Sequence, residues 1–368
     1  SAASDVYKRQ VPGDMVPAFF SKAMILFNCD YSEGAHADIL RRMAETNMEQ
    51  TAGYGEDPYC DQARKLIAGL CGRTDLDIHF LIGGTQTNFT VIAAALRPHQ
   101  CVLCADTGHI NVHESGAVEA CGHKVSAIPS PDGKLTARQI EEAWHAHWDD
   151  ETREHMPQPR MVYISQPTEL GTIYSRKELQ EISGVCRRRG LYLYMDGARL
   201  GYGLCDEDND LDLPAIASLC DAFYIGGTKV GALFGEALVL RHEALKEDFR
   251  YIAKQKGGRL AKGRLLGIQF LELFRDGLYF RLGAHADRLA VMLRDFCRSR
   301  GLSLPFSSGT NQQFVTMPDS VLEELGRKYG FAYLRREDET HSTVRFCMSW
   351  ATREEDVREL MADIARLC

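Results

Sequence analysis

The chain has 368 residues, 45% of them hydrophobic and 26% charged, and carries a formal net charge of -8. A chain of this length buries a large core and divides into one large and one smaller domain. Its composition excludes a disordered or fibrous class, its acidic balance argues against general nucleic-acid binding, and no apolar run reaches membrane-spanning length.

Residues 1–23 read unlike the rest, and their apolar part is too short for the hydrophobic region of a signal peptide. They are expected to be a non-native leader before a natural start at Met24. In the N-terminal segment, residues 24–72, apolar residues recur at helical spacing over 37–47 and 58–70, with the loop Tyr54-Gly55-Glu56-Asp57 between them. That loop reads either as a plain turn capped by its acids or as a functional one. The large α/β domain, residues 73–260, opens with a strand at 78–82, then Gly83-Gly84-Thr85-Gln86 and a helical run to 96. Strand, glycine turn and helix in that order present backbone N–H groups and a threonine hydroxyl to a phosphate, an arrangement shared by many α/β turns.

A buried strand at 101–105 leads to His109 and Glu114. Cys101 and Cys104 lack a second pair at zinc spacing and read as strand residues. The twelve cysteines are scattered through apolar segments, which suits reduced thiols in a cytoplasmic protein. Strand-like runs at 124–128, 161–165, 191–195 and 222–225 alternate with helical ones at 136–147 and 176–189, which predicts a mostly parallel sheet sandwiched by helices. Trp144, His145 and Trp148 read as surface and packing residues rather than metal ligands, and 149–159 as a loop. Glu169 follows the 161–165 strand at its carboxyl end.

The strand at 191–195 ends on Asp196, and the next runs into Gly226-Gly227-Thr228-Lys229. Alone, Lys229 is either a snorkelling surface residue or an amine whose proton affinity can fall and which can form a Schiff base. Asp196 alone could be a helix N-cap. Together they are the pair a pyridoxal phosphate site needs: a lysine to hold the aldehyde and an aspartate to keep the pyridine nitrogen protonated.

The basic stretch 250–264 lacks interleaved aromatics and reads poorly as a nucleic-acid surface. Connecting helices over 261–300 lead to a small α+β C-terminal domain, 301–368, with strands at 313–317 and 343–350 and helices at 319–329 and 353–367. Arg345 lies inside the second of these strands, either on a solvent face or as the planar fork an amino-acid carboxylate requires.

Met195-Asp196-Gly197-Ala198-Arg199 and the Ile-Gly-Gly-Thr-Lys-Val-Gly of 225–231 resemble the threonine aldolase and β-eliminating lyase family, and the similarity runs from about Phe27 to the C-terminus. The resemblance implies the aspartate-aminotransferase fold and pyridoxal 5'-phosphate held by Lys229 with Thr228 beside it. It also implies Asp196 and Arg199 at the cofactor, Gly84, Thr85 and Gln86 on its phosphate, and His109 stacked on its ring, with Glu114 a structural partner. Arg345 and Arg199 are expected on the substrate carboxylate, with Cys29, Asp30 and Tyr54 near the substrate. Tyr54 and the 250–264 segment lie at a subunit boundary in the family, so a homo-oligomer, a dimer of catalytic pairs, is implied.

One position departs from the best-known aldolases, which carry histidine where Glu169 stands. Glu169 is expected to partner His109 and orient a water toward the β-hydroxyl proton, with His109 and His36 as other bases. The implied reaction cleaves threonine-type β-hydroxy-α-amino acids to glycine and an aldehyde. β-Elimination or transamination on the same cofactor is the alternative, and a phosphate-binding module without Schiff-base chemistry is a reading of another class. No metal, nucleic-acid or membrane partner is expected.

Overall fold

The computed structural model describes residues 24–368, so the leader expected over residues 1–23 lies outside the described residues. In chain order the main elements are β1 (Ile25–Leu26), α1 (Ala37–Glu45), α2 (Pro58–Leu70), β2 (Asp77–Leu81), α3 (Gly84–Ala95), β3 (Gln100–Ala105), β4 (Lys124–Ile128), α4 (Ala137–Trp148), β5 (Gln158–Ser165) and α5 (Arg176–Arg189). They continue with β6 (Tyr192–Asp196), β7 (Ala222–Gly226), β8 (Glu236–Leu240), α6 (Arg264–Arg275), α7 (Leu278–Ser299), β9 (Gln312–Pro318), β10 (Tyr329–Gly330), β11 (Ala332–Arg336), β12 (His341–Cys347) and α8 (Glu354–Leu367).

Local chemistry sets the helix ends. Asp57 caps α2 by accepting the Cys60 N–H, with Pro58 in the first turn. Thr136 with Gln139, and Ser175 with Glu178, form reciprocal capping boxes at α4 and α5. α3 differs: Gly83 at its N-cap supplies no side-chain bond, so the first-turn N–H groups keep no cap.

The large sheet has the order β2-β8-β7-β6-β5-β3-β4. β3 to β7 pair in parallel, while β8 runs antiparallel to both β7 and β2. Alternation along each strand divides the side chains between two cores. Val162, Ile164, Leu193, Met195, Phe223 and Ile225 join the core on the α2, α5, α6 and α7 face, and Met161, Tyr163, Tyr194, Ala222 and Tyr224 the core beneath α3. Each fully buried aliphatic or aromatic side chain contributes on the order of 1.5–3 kcal/mol. A second sheet, β11-β12-β9, is antiparallel and belongs to the C-terminal part, to which β1 is joined through β10.

The expected mostly parallel sheet covered by helices is present. β8 was not foreseen, because it returns directly after β7 with no intervening helix in a region otherwise read as strand–helix alternation. β11 was also missed; its side chains are mostly exposed and supply no apolar run. The helix expected over 319–329 stops at Leu325, because Tyr329 turns back to pair with Ile25. The expected loop 149–159 contains a short 3-10 turn at Arg153–His155 and the start of β5. Trp144 and His145 lie on α4 as packing residues, with the Arg189 guanidinium 4.1 Å from the Trp144 ring centroid and His145 bonded to Asp149.

Candidate active site

A cavity of about 340 Å³ opens at the carboxyl ends of the parallel strands, lined by residues that include Tyr31, Gly84, Thr85, His109, Glu169, Asp196, Arg199, Thr228, Lys229 and Glu236. Strand ends of an open α/β sheet are where such a fold gathers functional groups. Lys229 follows β7 across the Gly226-Gly227 turn, and its backbone carbonyl accepts the Tyr202 hydroxyl at 2.5 Å. Burial lowers its proton affinity and the nearby Arg199 adds to that, against the pull of Asp30, Asp196 and Glu236.

Asp196 ends β6 in register with Ser165 of β5. Its carboxylate accepts four hydrogen bonds: from Tyr224 Oη at 2.5 Å and the Ala198 N–H at 2.9 Å on Oδ1, and from Tyr163 Oη at 2.6 Å and Asn88 Nδ2 at 3.0 Å on Oδ2. Burial alone would raise its proton affinity. His109 and these donors outweigh burial and hold it below the usual carboxylate range. The glycine that follows is sterically required, since a Cβ on Gly197 would lie 1.8 Å from the Tyr224 carbonyl oxygen.

Asn88, on α3, spreads the network further, with Nδ2 donating to Glu114 Oε1 at 2.7 Å and Oδ1 accepting from Tyr194 Oη at 2.8 Å. Glu114 Oε1 also meets His109 Nδ1 at 2.8 Å. This corrects the expected pairing at His109, for the imidazole is bonded to Glu114. Glu169 Oε1 instead takes the His109 backbone N–H at 3.0 Å and the Ser165 hydroxyl at 2.7 Å. Burial, reinforced by Asp196, raises the Glu169 proton affinity.

The uncapped start of α3 brings Gly84 and Thr85 to the cavity wall. Gln86 turns away: its Oε1 accepts the Ile82 N–H and its Nε2 donates to the Lys256 carbonyl, so its side chain ties β2 to the 256–258 turn. Thr228 donates to Glu236 Oε1 at 2.9 Å.

The expected substrate-side residues are redistributed. Asp30 is fully buried in a bidentate pair with Arg199, at 2.7 and 3.0 Å, and also accepts from Asn311, so it positions Arg199 and has no face for substrate. Arg199 and Asn311 together with Lys229 outweigh burial and hold its pKa at about 2. Cys29 lies beside Ser32, at 3.2 Å, outside the cavity lining. Tyr54 stands on a separate small cavity, with Lys254 Nζ 4.6 Å from its ring centroid. Arg345 reaches from β12 to Gln312 Oε1 at 3.0 Å and the Asn28 carbonyl at 2.9 Å, and its Nε is buried without a partner.

Tyr31, Tyr163, Tyr224, Asn88 and Glu236 were missed. One signal was present: Tyr163, Tyr194 and Tyr224 each stand two residues before the last residue of their strand. Glu236 was visible as a lone charge opening the apolar run 237–240.

The family model for β-eliminating lyases matches residues 29–320. A low specificity L-threonine aldolase of Pseudomonas sp. (strain NCIMB 10558) is 33% identical over 349 residues, covering 92% of this chain and 96% of that protein. The Escherichia coli (strain K12) enzyme of the same name is 26% identical, covering 78% and 84%. Among solved structures, a threonine aldolase of Leishmania major superposes with a TM-score of 0.91 at 45% identity, covering 93% of this chain and 99% of that one. An aspartate aminotransferase of Thermus thermophilus, at 14% identity and a TM-score of 0.68 over 94% and 97%, shares the fold. With the family model covering most of its length, the chain belongs to the β-eliminating lyase family.

Proposed function

We propose that this protein is a pyridoxal-phosphate-dependent aldolase that cleaves threonine-type β-hydroxy-α-amino acids to glycine and an aldehyde. The observation that carries the reading is the placement of Lys229 and a carboxylate held ionised, Asp196, on one cavity beside an uncapped helix N-terminus. These groups fit the cofactor: Lys229 for its aldehyde, Asp196 for its ring nitrogen, the N–H groups and hydroxyl at Gly84 and Thr85 for its phosphate, and His109 for its ring face. When bound, the cofactor supplies an electron sink for the substrate's α-carbon.

The chain's own residues supply the rest. Arg199, on the cavity lining with its fork fixed by Asp30, binds the substrate carboxylate, and Arg345 assists by exchanging its bonds to Gln312 and the Asn28 carbonyl for it. Cleavage of Cα–Cβ requires removal of the β-hydroxyl proton. Glu169 lines the cavity with a raised proton affinity, held by Ser165 and the His109 N–H, and serves as that base directly or through a water. The hydroxyl proton moves to its carboxylate as the aldehyde leaves.

The assembly we propose is a homo-oligomer in which the Tyr54 loop and the 250–264 segment face a neighbouring copy. Supporting this, Met48 is 89% exposed and Tyr54 47% exposed, and Arg250 and Arg259 converge on Glu56 at the same surface. The twelve cysteines are all free, as a reducing cytoplasm would leave them. Among the described residues no helix is long and apolar enough to cross a membrane.

Product analysis with threonine, allo-threonine and phenylserine tests the reaction. Equimolar glycine and aldehyde are expected; keto acid and ammonia without glycine would replace aldol cleavage by elimination.

A further inference from the structure

Glu236 has no part in the chemistry above, yet it occupies a telling place. It opens β8 and pairs with Gly226 at the end of β7 on one side and with Leu81 at the end of β2 on the other, so it stands between the turn that carries Lys229 and the turn that leads into α3. It is 3% exposed. One oxygen is fixed: the Thr228 hydroxyl accepts the Gly235 N–H at 2.9 Å and donates to Glu236 Oε1 at 2.9 Å. The other, Oε2, is buried with no hydrogen-bond partner, on a residue that lines the same cavity as Lys229.

A buried carboxylate oxygen without a donor is costly, and a proton on that oxygen lowers the cost by removing the uncompensated charge and leaving a donor that can be met from the cavity. The other acids of the cavity are engaged: Asp196 by its four donors, Glu169 by Ser165 and the His109 N–H. The charged and titratable groups around Glu236 are Lys229 after β7, Asp196 at the end of β6, and the phenols of Tyr224, Tyr194 and Tyr279. Lys229 is the cation among them.

We propose that Glu236 is the proton partner of Lys229. The pair holds one exchangeable proton, which rests on Glu236 when the lysine must be a free amine and on Nζ when the lysine must be an ammonium. The two groups line one cavity without touching, so the proton passes through a water between them, and the transfer balances: ammonium and carboxylate become amine and carboxylic acid, and the net charge of the pair is zero before and after. Burial pushes the two groups in matching directions, lowering the lysine and raising the carboxyl to about 8 despite the Thr228 bond and the lysine itself. Thr228 has a second use in this scheme, aiming the carboxyl from the position next to the lysine it serves.

The inference rests on the proposed role of Lys229, but its test needs neither turnover nor bound cofactor. The full chain, freed of cofactor, is labelled at Lys229 with trinitrobenzenesulfonate from neutral to alkaline pH and the extent is read by peptide mass. Wild type should show two steps, one near pH 8 where the pair loses its first proton and the remaining one, shared with Glu236, leaves part of the lysine as amine, and a later one where the second proton is lost. Glu236→Gln keeps the acceptor for Thr228 and removes the titration; it should show one step, and label up to about tenfold faster at and above the first inflection, a shift of about one pH unit. Glu236→Asp should restore two steps. Superimposable profiles for wild type and Glu236→Gln would reduce Glu236 to a structural acceptor and overturn the proposal. Infrared titration of wild type alone should show a carboxylic-acid carbonyl band that falls in part at the first inflection and vanishes at the second, and its absence would overturn the proposal even if the variants fail to fold. A protein that shows the coupled profile but does not cleave threonine refutes the reaction and keeps the pair; the converse refutes only the pair.

Discussion

The cavity buries two aspartates by opposite means. Asp196, at the sheet floor, is satisfied by two phenols, an amide and a backbone N–H, none of them charged. Asp30, in the wall built by the N-terminal segment and the C-terminal part, is satisfied by the guanidinium of Arg199 in a two-point pair. Neutral donors stabilise a carboxylate without cancelling its charge, whereas a bidentate arginine cancels it. The floor therefore still presents a negative charge to a cation entering the cavity, and the wall presents only an aligned arginine. On the proposed function, the first suits a cofactor with a protonatable ring nitrogen and the second a substrate carboxylate.

The largest effect expected from breaking this contrast is at the wall. Asp30→Asn leaves Arg199 buried without its counter-charge, which should cost about 3–5 kcal/mol in urea unfolding. Next comes the floor. Asp196→Asn sets an NH2 group against an N–H donor whichever way the amide turns, the Ala198 N–H on one side and the Asn88 amide on the other, so a loss of about 1–3 kcal/mol is expected, less than at the wall, while turnover falls about 10²–10³-fold. If both variants lose stability alike, the two aspartates do the same job and the distinction fails.

A smaller effect follows from pH. The Asp30 carboxyl is held at about 2, below its unfolded value of 3.8. Its contribution is complete above the unfolded value and is lost as pH falls through the folded one. Acid titration of unfolding free energy should show a loss on the order of 2 kcal/mol in that window, absent in Asp30→Asn. Smallest is Arg345→Lys, which keeps the charge but loses the fork. KM for threonine should rise about tenfold with cofactor absorbance unchanged, and wild-type saturation would remove Arg345 from substrate binding.

The same contrast explains what the sequence made legible. Lys229, Asp196 and Thr228 stood out because each follows a short apolar strand at a glycine-marked end, a local pattern. The pair between Asp30 and Arg199 joins residues 169 positions apart, and no local spacing encodes it; Asp30 was accordingly expected on the substrate. Asn88 reaches Asp196 only because α3 packs on the face of Tyr163, Tyr194 and Tyr224. Glu114 and Glu169 both lay near His109 in the reading, but which one meets the imidazole depends on how the turn at 109–112 is seated on the sheet. Glu236 escaped because its strand runs against the alternation that located the others.

The roles proposed for Asp196 and Glu236 both depend on Lys229, at the end of β7, being the cofactor lysine. Borohydride reduction of the protein loaded with pyridoxal phosphate, followed by peptide mapping, addresses that assignment directly. One label per chain is expected, on the peptide that contains Lys229, and Lys229→Ala should take no label and show no visible absorbance. A label on another lysine, such as Lys254 or Lys256, would contradict the assignment and with it the roles given to Asp196 and Glu236.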